Sequence, residues 1–246
     1  MSGDSDKSFW HRYLEFYEEA FSKLGQVSSI LEFGVFKGDS IRWLAQRFPD
    51  ARIVGCDIIP PQPSWPVSPR IGYATLDQGS LEQIRRLFQH LNIRFDLIIE
   101  DGSHQPVHQR NCLVESLACV RPGGIYVLED LHTAHPQHPL YRELGRSSVV
   151  GPLHLLLALE HLQANGRVID EPTLSRLTGD SLFSREDVEL VARRVASINL
   201  YRRATLPHRC YNCGSSDFDY GTLRCRCGAD LYDEADSMSA VLHVSA

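Results

Sequence analysis

Two apolar runs that end in acidic residues constrain the fold of this chain more than any other feature. Residues 95–104 read FDLIIEDGSH, and residues 121–130 read RPGGIYVLED. The apolar stretches lack the alternation of half-exposed strands, and such runs are typical of parallel strands buried on both faces. The segment 106–120 between them is long enough for a crossover helix. The sequence therefore predicts an open α/β sheet with a parallel core.

Both runs end in acidic residues, and a histidine follows the first. The side chains are Glu100, Asp101, His104, Glu129 and Asp130. Ligands of an open α/β sheet bind outside the carboxyl ends of the strands, so we expect these side chains at one rim. Neighbouring carboxylates repel one another unless a cation neutralises them, and oxygen ligands suit Mg²⁺ or a similar hard ion. Each carboxylate alone could instead cap a helix or face water, but two acidic strand ends together favour a metal site.

Length and composition limit the classes of protein that fit this chain. Its 246 residues suit one large domain or one domain with a small module, and 43% hydrophobic residues exclude a disordered chain. With 25 basic and 31 acidic residues the formal net charge is −6, which argues against a nucleic-acid binder. No apolar run approaches the ~18 residues of a membrane span. Residues 1–8 are polar and lack a signal-peptide core, so a cytoplasmic protein without a membrane partner is expected.

An amphipathic helix is predicted over residues 9–24, within an N-terminal segment 1–27. Its apolar and aromatic residues recur with helical spacing. They are Phe9, Tyr13, Phe16, Tyr17, Ala20, Phe21 and Leu24. This aromatic stripe could pack on the core, line a site or join subunits, and core packing is the interpretation we favour.

A glycine-rich turn follows the first predicted strand, residues 30–33. Glu32, Gly34 and Gly38 have the spacing E-x-G-x-x-x-G and precede a predicted helix over residues 40–48. Glycines at the start of a helix allow a ligand to approach the backbone closely. The motif resembles the first motif of class I S-adenosylmethionine (SAM) methyltransferases. The strict G-x-G-x-x-G fingerprint is absent from the sequence, which argues against a hydride-transfer enzyme.

Two further strand ends carry polar residues. Asp57 directly follows the second predicted strand, residues 51–56, where an acidic residue is placed to bind ribose hydroxyls. A helix cap is the alternative interpretation of Asp57, but no helix follows it. A third predicted strand over residues 71–76 ends before Asp77 and Gln78, where an adenine base could be held.

The five prolines that follow the second strand predict an extended loop over the sheet rim. We interpret this loop, whose prolines lie within residues 60–69, as a site wall or substrate loop that contains Trp65. Ser80 is the expected N-cap of a helix over residues 81–91. The remaining predicted elements are helices over residues 151–165 and 186–194 and one or two antiparallel strands over residues 195–206.

Four of the seven cysteines cluster near the end of the sequence. Cys210 and Cys213 form C-x-x-C, Cys225 and Cys227 form C-x-C, and a glycine follows each pair. The pattern resembles a zinc ribbon, although its second half is one residue short of C-x-x-C. Reduced thiols or two disulfides are the alternatives. So short a segment has almost no core of its own, which favours structural Zn²⁺. We place this module at residues 208–233 and a tail at 234–246.

Residues 28–206 resemble the metal-dependent sugar O-methyltransferases of macrolide and related antibiotic pathways, such as the mycinamicin and macrocin O-methyltransferases. Cephalosporin-hydroxylase-type proteins are relatives of this family. The motifs that carry the resemblance are LEFGVFKGDS, GCDI, LDQGS, DLIIEDGSH and RPGGIYVLEDLHTA. The resemblance implies a Rossmann-like class I SAM-methyltransferase sheet with helices on both faces over residues 28–207. The four-cysteine module and the proline-rich loop are not part of the family pattern.

The resemblance also implies roles for individual residues. Mg²⁺ would be bound by Asp101, Glu129 and Asp130. His104 would be the general base, with Asp101 beside it in catalysis. The SAM contacts would fall on Glu32, Gly34, Asp57, Gln78 and Glu100. The implied cofactors are SAM and Mg²⁺, and the cysteine module adds a structural Zn²⁺.

The implied function is Mg²⁺-dependent transfer of a methyl group from SAM to a hydroxyl of a sugar or glycosylated natural product. One alternative is a small-molecule, catechol-like O-methyltransferase, whose planar substrate would need apolar walls such as Trp65 and Tyr141. Another alternative is a SAM-binding protein whose zinc ribbon docks a partner. We expect a small-molecule glycoside as the substrate, a homo-oligomer, and no nucleic-acid partner.

Overall fold

A computed structural model describes residues 5–145, 149–232 and 237–245 of the chain. The start of the polar N-terminal stretch (1–4) and the predicted boundary between module and tail (233–236) lie outside the described residues. The strands are β1 (Ser29–Phe33), β2 (Arg52–Asp57), β3 (Ile71–Thr75), β4 (Phe95–Glu100), β5 (Val120–Leu128), β6 (Val195–Arg202), β7 (Phe218–Asp219), β8 (Arg224–Cys225) and β9 (Met238–Val244).

Seven of these strands form one sheet in the spatial order β3-β2-β1-β4-β5-β9-β6. Strands β1 to β5 are parallel to one another, and β9 is antiparallel to both of its neighbours. The predicted parallel core is therefore confirmed. The short strands β7 and β8 form a separate hairpin within the cysteine module.

Helices lie before, between and after the parallel strands. They are α1 (Asp6–Phe9), α2 (Tyr13–Phe21), α3 (Asp39–Arg47), α4 (Leu81–Leu91), α5 (Pro106–Ser116), α6 (Pro139–Arg142), α7 (Pro152–Ala164), α8 (Glu171–Gly179) and α9 (Arg185–Arg194), with 3₁₀ turns at Leu117–Cys119 and Leu131–Ala134. The predicted cap is confirmed, because the Ser80 hydroxyl accepts a hydrogen bond from the Gln83 backbone N–H at 3.3 Å. None of the helices in the described parts of the chain has the length and apolar character needed to cross a bilayer.

Alternate residues of the central strands face two different apolar cores. Ile30 and Leu97 pack with α2 and α3, whereas Leu31 and Ile98 pack with α4, α5, α7 and α9. All four side chains are fully buried. Burial on both faces explains why these strands read as continuous apolar runs.

The N-terminal segment contains two short helices instead of the single helix predicted over residues 9–24. The break lies at Arg12, which has a left-handed backbone conformation (φ +58°) that an α-helix does not continue. The aromatic stripe packs on the core as expected, since Tyr13, Tyr17 and Phe21 are buried against the sheet.

The structure corrects the tail predicted over residues 234–246. Residues 238–244 form β9, which lies between β5 and β6 and pairs Leu242 with both Tyr126 and Ile198. Ala240, Val241 and Leu242 are fully buried. The antiparallel strand predicted over 195–206 is confirmed as β6, but its partner comes from beyond the cysteines. The cysteine module is therefore an insertion between two neighbouring strands of the sheet.

Candidate active site

The turn after β1 brings the backbone into direct contact with the loop after β4. Gly34 has a φ of +91°, and a Cβ at this position would lie 1.9 Å from the carbonyl oxygen of Asp101. Only glycine fits such an approach. The preceding Glu32 is fully buried and accepts a hydrogen bond from the Ser40 hydroxyl. Gly34 lines a cavity at this rim, whereas Glu32 does not reach it.

Asp57 fixes the shape of the same turn. Its Oδ2 accepts hydrogen bonds from the backbone N–H groups of Val35 at 2.8 Å and Phe36 at 3.0 Å. Its Oδ1 accepts one from Ile59 at 3.2 Å. Asp57 also lines the cavity, so one carboxylate can hold the glycine turn and face a ligand.

The two aromatic residues expected as apolar walls lie in the core instead. Trp65 is 4% exposed, and its Nε1 donates to the carbonyl oxygen of Phe36 at 2.7 Å. Tyr141 is 2% exposed and donates to the carbonyl oxygen of Val149 at 2.6 Å. The interpretation of Trp65 as a site wall is wrong. The proline-rich loop reaches the cavity through Ile58, at its beginning.

Gln78 and Glu100 form a hydrogen-bonded pair below the cavity. Gln78 Nε2 donates to Glu100 Oε1 at 2.7 Å, and Gln78 Oε1 accepts from the Ser103 backbone N–H at 2.9 Å. Burial raises the pKa of Glu100 to about 7. Gln78 lines the cavity, whereas Glu100 is fully buried behind it.

Asp101, His104 and Asp130 each offer a ligand atom within 4.8 Å of those of the other two. They meet because β4 and β5 are parallel neighbours whose carboxyl ends lie side by side. His104 Nε2 is 3.4 Å from Asp130 Oδ2. Both residues have a left-handed backbone, with φ of +59° for His104 and +51° for Asp130, which Asp and His adopt more readily than most residues. Two carboxylates and one imidazole form a donor set that fits a divalent cation.

The charges in this group influence one another. Burial alone would lower the pKa of His104, but the carboxylates of Asp130 and Asp101 raise it above its usual value. Burial acts to raise the pKa of Asp130, yet the imidazoles of His11 and His104 and the Tyr13 hydroxyl hold it well below its usual range. The described structure therefore favours a protonated His104 beside an ionised Asp130.

Lys7 of α1 places an ammonium group inside the carboxylate cluster. Its Nζ is 2.7 Å from Asp101 Oδ2, 3.3 Å from Glu32 Oε1 and in contact with Glu129 Oε1. Lys7 is only 4% exposed. The predicted Mg²⁺ ligands are thus divided: Asp101 and Asp130 meet at His104, whereas Glu129 pairs with Lys7. Sequence reasoning missed Lys7 because a single lysine in a polar stretch carries no pattern.

The N-terminal segment supplies two more side chains that sequence reasoning did not assign to the site. The Tyr13 hydroxyl donates to Asp130 Oδ1 at 2.7 Å. His11 stacks on Tyr13 with ring centroids 4.9 Å apart, and its Nδ1 lies 3.9 Å from the same carboxylate oxygen. The aromatic stripe was the only sequence signal for this contact, and it indicated packing.

The four clustered cysteines converge as predicted. Their Sγ atoms all lie within 4.8 Å of one another, with Cys210–Cys227 at 3.6 Å and Cys213–Cys225 at 3.4 Å. A tetrahedral zinc site with Zn–S bonds of about 2.3 Å has sulfurs about 3.8 Å apart. A disulfide holds its sulfurs at about 2.05 Å, so these thiols are not bridged. The backbone N–H of Ala229 lowers the pKa of Cys227 to about 7, which favours a thiolate. Donor type and spacing therefore fit Zn²⁺.

One cavity of about 410 Å³ joins the residues described at the rim. Gly34, Asp57 and Gln78 line one part of it. The lining also includes Asp101, His104, Glu129 and Asp130. A volume of this size takes a small organic ligand. The candidate cofactor residues and the candidate metal and base residues therefore face a common space.

Comparison with known proteins shows what most of the segment around this cavity is similar to. Residues 31–131 match the family model described as a methyltransferase domain. The matched segment begins in β1 and ends one residue after Asp130, so the similarity to a methyltransferase domain includes the glycine turn and both acidic strand ends.

Curated relatives of the methyltransferase domain are sugar O-methyltransferases. The 8-demethyl-8-(2-methoxy-alpha-L-rhamnosyl)-tetracenomycin-C 3'-O-methyltransferase of Streptomyces olivaceus is 34% identical over 140 residues, which are 53% of this chain and 35% of the relative. The mycinamicin VI 2''-O-methyltransferase of Micromonospora griseorubida is 33% identical over 135 residues, 52% of this chain and 33% of the relative. The predicted resemblance is confirmed, and the chain spans about a third of the length of these relatives.

A solved structure shows the same fold. The MycE methyltransferase from the mycinamycin biosynthetic pathway, in complex with Mg and SAH, superposes with a TM-score of 0.59 at 22% sequence identity. The match covers 94% of this chain and 48% of that chain. The Rossmann-like sheet predicted from the sequence is therefore confirmed, and its fold is that of the solved methyltransferase.

Proposed function

We propose that this chain transfers a methyl group from SAM to a hydroxyl of a sugar or glycosylated natural product, with Mg²⁺ as the metal. The observation that carries the proposal is the meeting of Asp101, His104 and Asp130 in the cavity that also contains the glycine turn. The names of the curated relatives, which methylate sugars of antibiotics, support the class of acceptor. The solved relative that contains Mg and SAH supports the choice of metal and methyl donor.

The methyl donor would bind where the backbone around Gly34 is open to the cavity. Asp57 would accept hydrogen bonds from the ribose hydroxyls while it holds the turn through the Val35 and Phe36 amides. Gln78 lines the cavity beyond Asp57 and would contact the adenine side. Glu32 and Glu100 do not line the cavity, and they would act indirectly by fixing the residues that contact the donor.

Asp101 and Asp130 would hold Mg²⁺, and Glu129 would complete the set by exchanging its contact with Lys7 for one with the ion. When bound, Mg²⁺ supplies the positive charge that lowers the pKa of an acceptor hydroxyl. The donors fit this role because both carboxylates lie beside His104 and face the cavity.

His104 would accept the proton of the acceptor hydroxyl at Nε2. Asp130, with its Oδ2 3.4 Å away, would stabilise the imidazolium that forms. The carboxylates raise the pKa of His104, so neutralising them would lower this pKa and favour the unprotonated imidazole that a base requires. The hydroxyl oxygen then attacks the SAM methyl group, and much of the rate gain comes from holding the two in line.

The catechol-like alternative loses the two side chains that favoured it. Trp65 and Tyr141 lie in the core, so neither supplies a flat apolar wall at the cavity. Phe36 and Tyr211 do line the cavity, and the polar and charged side chains that line it with His104 suit a hydroxyl-rich acceptor.

Methyl transfer from labelled SAM to a rhamnosylated acceptor tests the proposed function. We expect transfer in Mg²⁺, no transfer in EDTA, and recovery when Mg²⁺ is returned. Asp130→Asn should lower turnover by at least about 100-fold, because it removes one ligand charge next to the base. Asp50→Asn is the matched control, since Asp50 is exposed and lies outside the cavity. Full turnover of the chelated protein, or no transfer to any glycoside, would contradict the proposal.

A further inference from the structure

A second cavity opens onto the same candidate catalytic groups. It has a volume of about 410 Å³ and shares Asp6, His11, His104, Asp130 and Tyr211 with the first cavity. It does not touch Gly34, Asp57 or Gln78, the residues assigned to the methyl donor. A space that reaches the base and the metal ligands but not the donor residues has the position required of an acceptor.

The cysteine module forms one wall of this second cavity. Tyr211, Asn212 and Asp230 come from the module, and Trp10 and His11 come from the turn between α1 and α2. No sequence feature of the methyltransferase domain predicts this wall, because the module is absent from the family pattern.

The topology of the sheet explains why the module reaches the site. Strand β9 pairs Ala240 with Leu128 at the end of β5, and β6 pairs Arg202 with Met238. The insertion therefore leaves β6 and returns to β9 at the rim where β5 ends, two residues before Asp130. A module inserted there stands beside the candidate catalytic groups.

Specific contacts hold the module against the N-terminal helices. The His208 backbone N–H donates to the carbonyl oxygen of Phe9 at 2.8 Å, and the Arg209 guanidinium lies 4.2 Å above the Phe9 ring. Trp10 packs on the small apolar cluster around the cysteines. The Trp10 and Tyr211 ring centroids are 6.2 Å apart. The wall is thus fixed in place, although Tyr211 itself remains 56% exposed.

The chemistry of the wall indicates the class of ligand. An exposed tyrosine ring beside a half-buried tryptophan offers faces on which the C–H groups of a sugar ring can stack. Asn212, His11 and Asp6 place hydrogen-bonding groups around these rings. Asp230 is paired with Arg224 at 2.9 Å, so its charge is already balanced. Polar groups around two aromatic faces suit a neutral, hydroxyl-rich ring.

We propose that the four-cysteine module forms the acceptor subsite of this protein, and that Tyr211 is the ring on which the acceptor sugar stacks. This inference rests on the proposed function, because it assigns the first cavity to the methyl donor. It gives the cysteine cluster a role in recognition, because the four clustered cysteines would position Tyr211 and Asn212 next to His104.

Saturation-transfer NMR with methyl α-L-rhamnopyranoside tests the subsite on the full chain, loaded with SAH and Mg²⁺ and with its cysteines in the native state. Tyr211→Ala should weaken binding of this glycoside about 3–10-fold, the usual worth of one aromatic contact. Tyr211→Phe should restore it. Tyr220→Ala is the matched control, because Tyr220 is 72% exposed on the same module but lies outside the second cavity. The affinity for SAH, measured by calorimetry, should be equal in all three variants.

Unchanged glycoside binding in Tyr211→Ala overturns the proposal, as does an equal loss in Tyr220→Ala or an absence of binding by the parent protein. A transfer assay with the same glycoside separates this result from the proposed function. If glycoside binding depends on Tyr211 but no methyl transfer occurs, the proposed function is contradicted and the proposed subsite still stands. If methyl transfer occurs and its KM does not change in Tyr211→Ala, the proposed subsite is contradicted and the proposed function still stands.

Discussion

Replacing Lys7 with methionine removes the ammonium group from the carboxylate cluster while keeping an apolar stem of similar length. The Nζ of Lys7 is 2.7 Å from Asp101 Oδ2 and also contacts Glu129, and both Lys7 and Glu129 are almost fully buried. One such pair is worth about 6 kcal/mol of Coulomb energy at an effective dielectric constant of about 20. The free energy of unfolding should therefore fall in Lys7→Met.

The expected loss is smaller than the Coulomb energy, for a reason that the site itself supplies. Burial already raises the pKa of Glu129 and of Asp101, so these carboxyls can bind protons once the ammonium is gone. Removing one partner of a buried ion pair typically costs about 3–5 kcal/mol, and we expect about 3 kcal/mol here. A chain of this size loses about 2–4 °C of melting temperature per kcal/mol, which gives about 6–12 °C.

Calorimetric melting in EDTA and in excess Mg²⁺ measures this prediction. In EDTA, Lys7→Met should melt about 6–12 °C below the parent. Mg²⁺ should raise the melting temperature of the variant more than that of the parent, because the ion no longer competes with an ammonium group for Asp101 and Glu129. Saturation at 100 times Kd adds about 2.7 kcal/mol.

Lys23→Met is the matched control for this experiment. Lys23 is exposed, so its replacement should change the free energy of unfolding by no more than about 0.5 kcal/mol. Two results would refute the reasoning. One is a Lys7→Met protein that melts with the parent in EDTA, and the other is an equal response of both proteins to Mg²⁺.

Three further predictions follow from the site and the module. Glu100→Gln should remove a pH dependence of stability. The pKa of Glu100 is raised from 4.5 to about 7. The contribution of this carboxyl to the free energy of unfolding is therefore fully present below pH 4.5 and is lost as the pH rises through 7. The variant should gain up to about 3 kcal/mol over the parent at pH 8 and nothing at pH 4, and parallel pH profiles in chemical denaturation would contradict this. Elemental analysis should find one zinc ion per parent chain. Cys225→Ser should lose this ion, whereas Cys119→Ser, outside the cluster, should retain it. His104→Ala should bind SAM with the parent's calorimetric affinity but turn over about 10²–10⁴-fold more slowly. If the variant keeps the parent's rate and the basic limb of its pH–rate profile, the proton acceptor is Asp101 instead of His104.

The sequence by itself determined the elements whose signals are local. The apolar runs of β4 and β5 lack alternation because both faces of these strands are covered, and that property is visible in a few consecutive residues. The Ser80 cap and the helix that follows it are equally local. The acidic strand ends and the cysteine spacing also indicated groups that the fold brings together, since parallel neighbours end at one rim and short loops limit where thiols can lie.

Only the tertiary structure decided which distant segments share the site. Lys7 and Glu129 are separated by 122 positions, and Tyr13 and Asp130 by 117, so no periodicity or spacing relates them. The same holds for β9. Its short apolar segment forms an inner strand because it pairs with both β5 and β6. That placement returns the chain to the rim of β5 and brings the cysteine module beside His104. Local patterns specify elements because they depend on neighbouring residues. The contacts that balance buried charge and enclose the cavity depend on how those elements pack, and that is fixed only when the whole chain has folded.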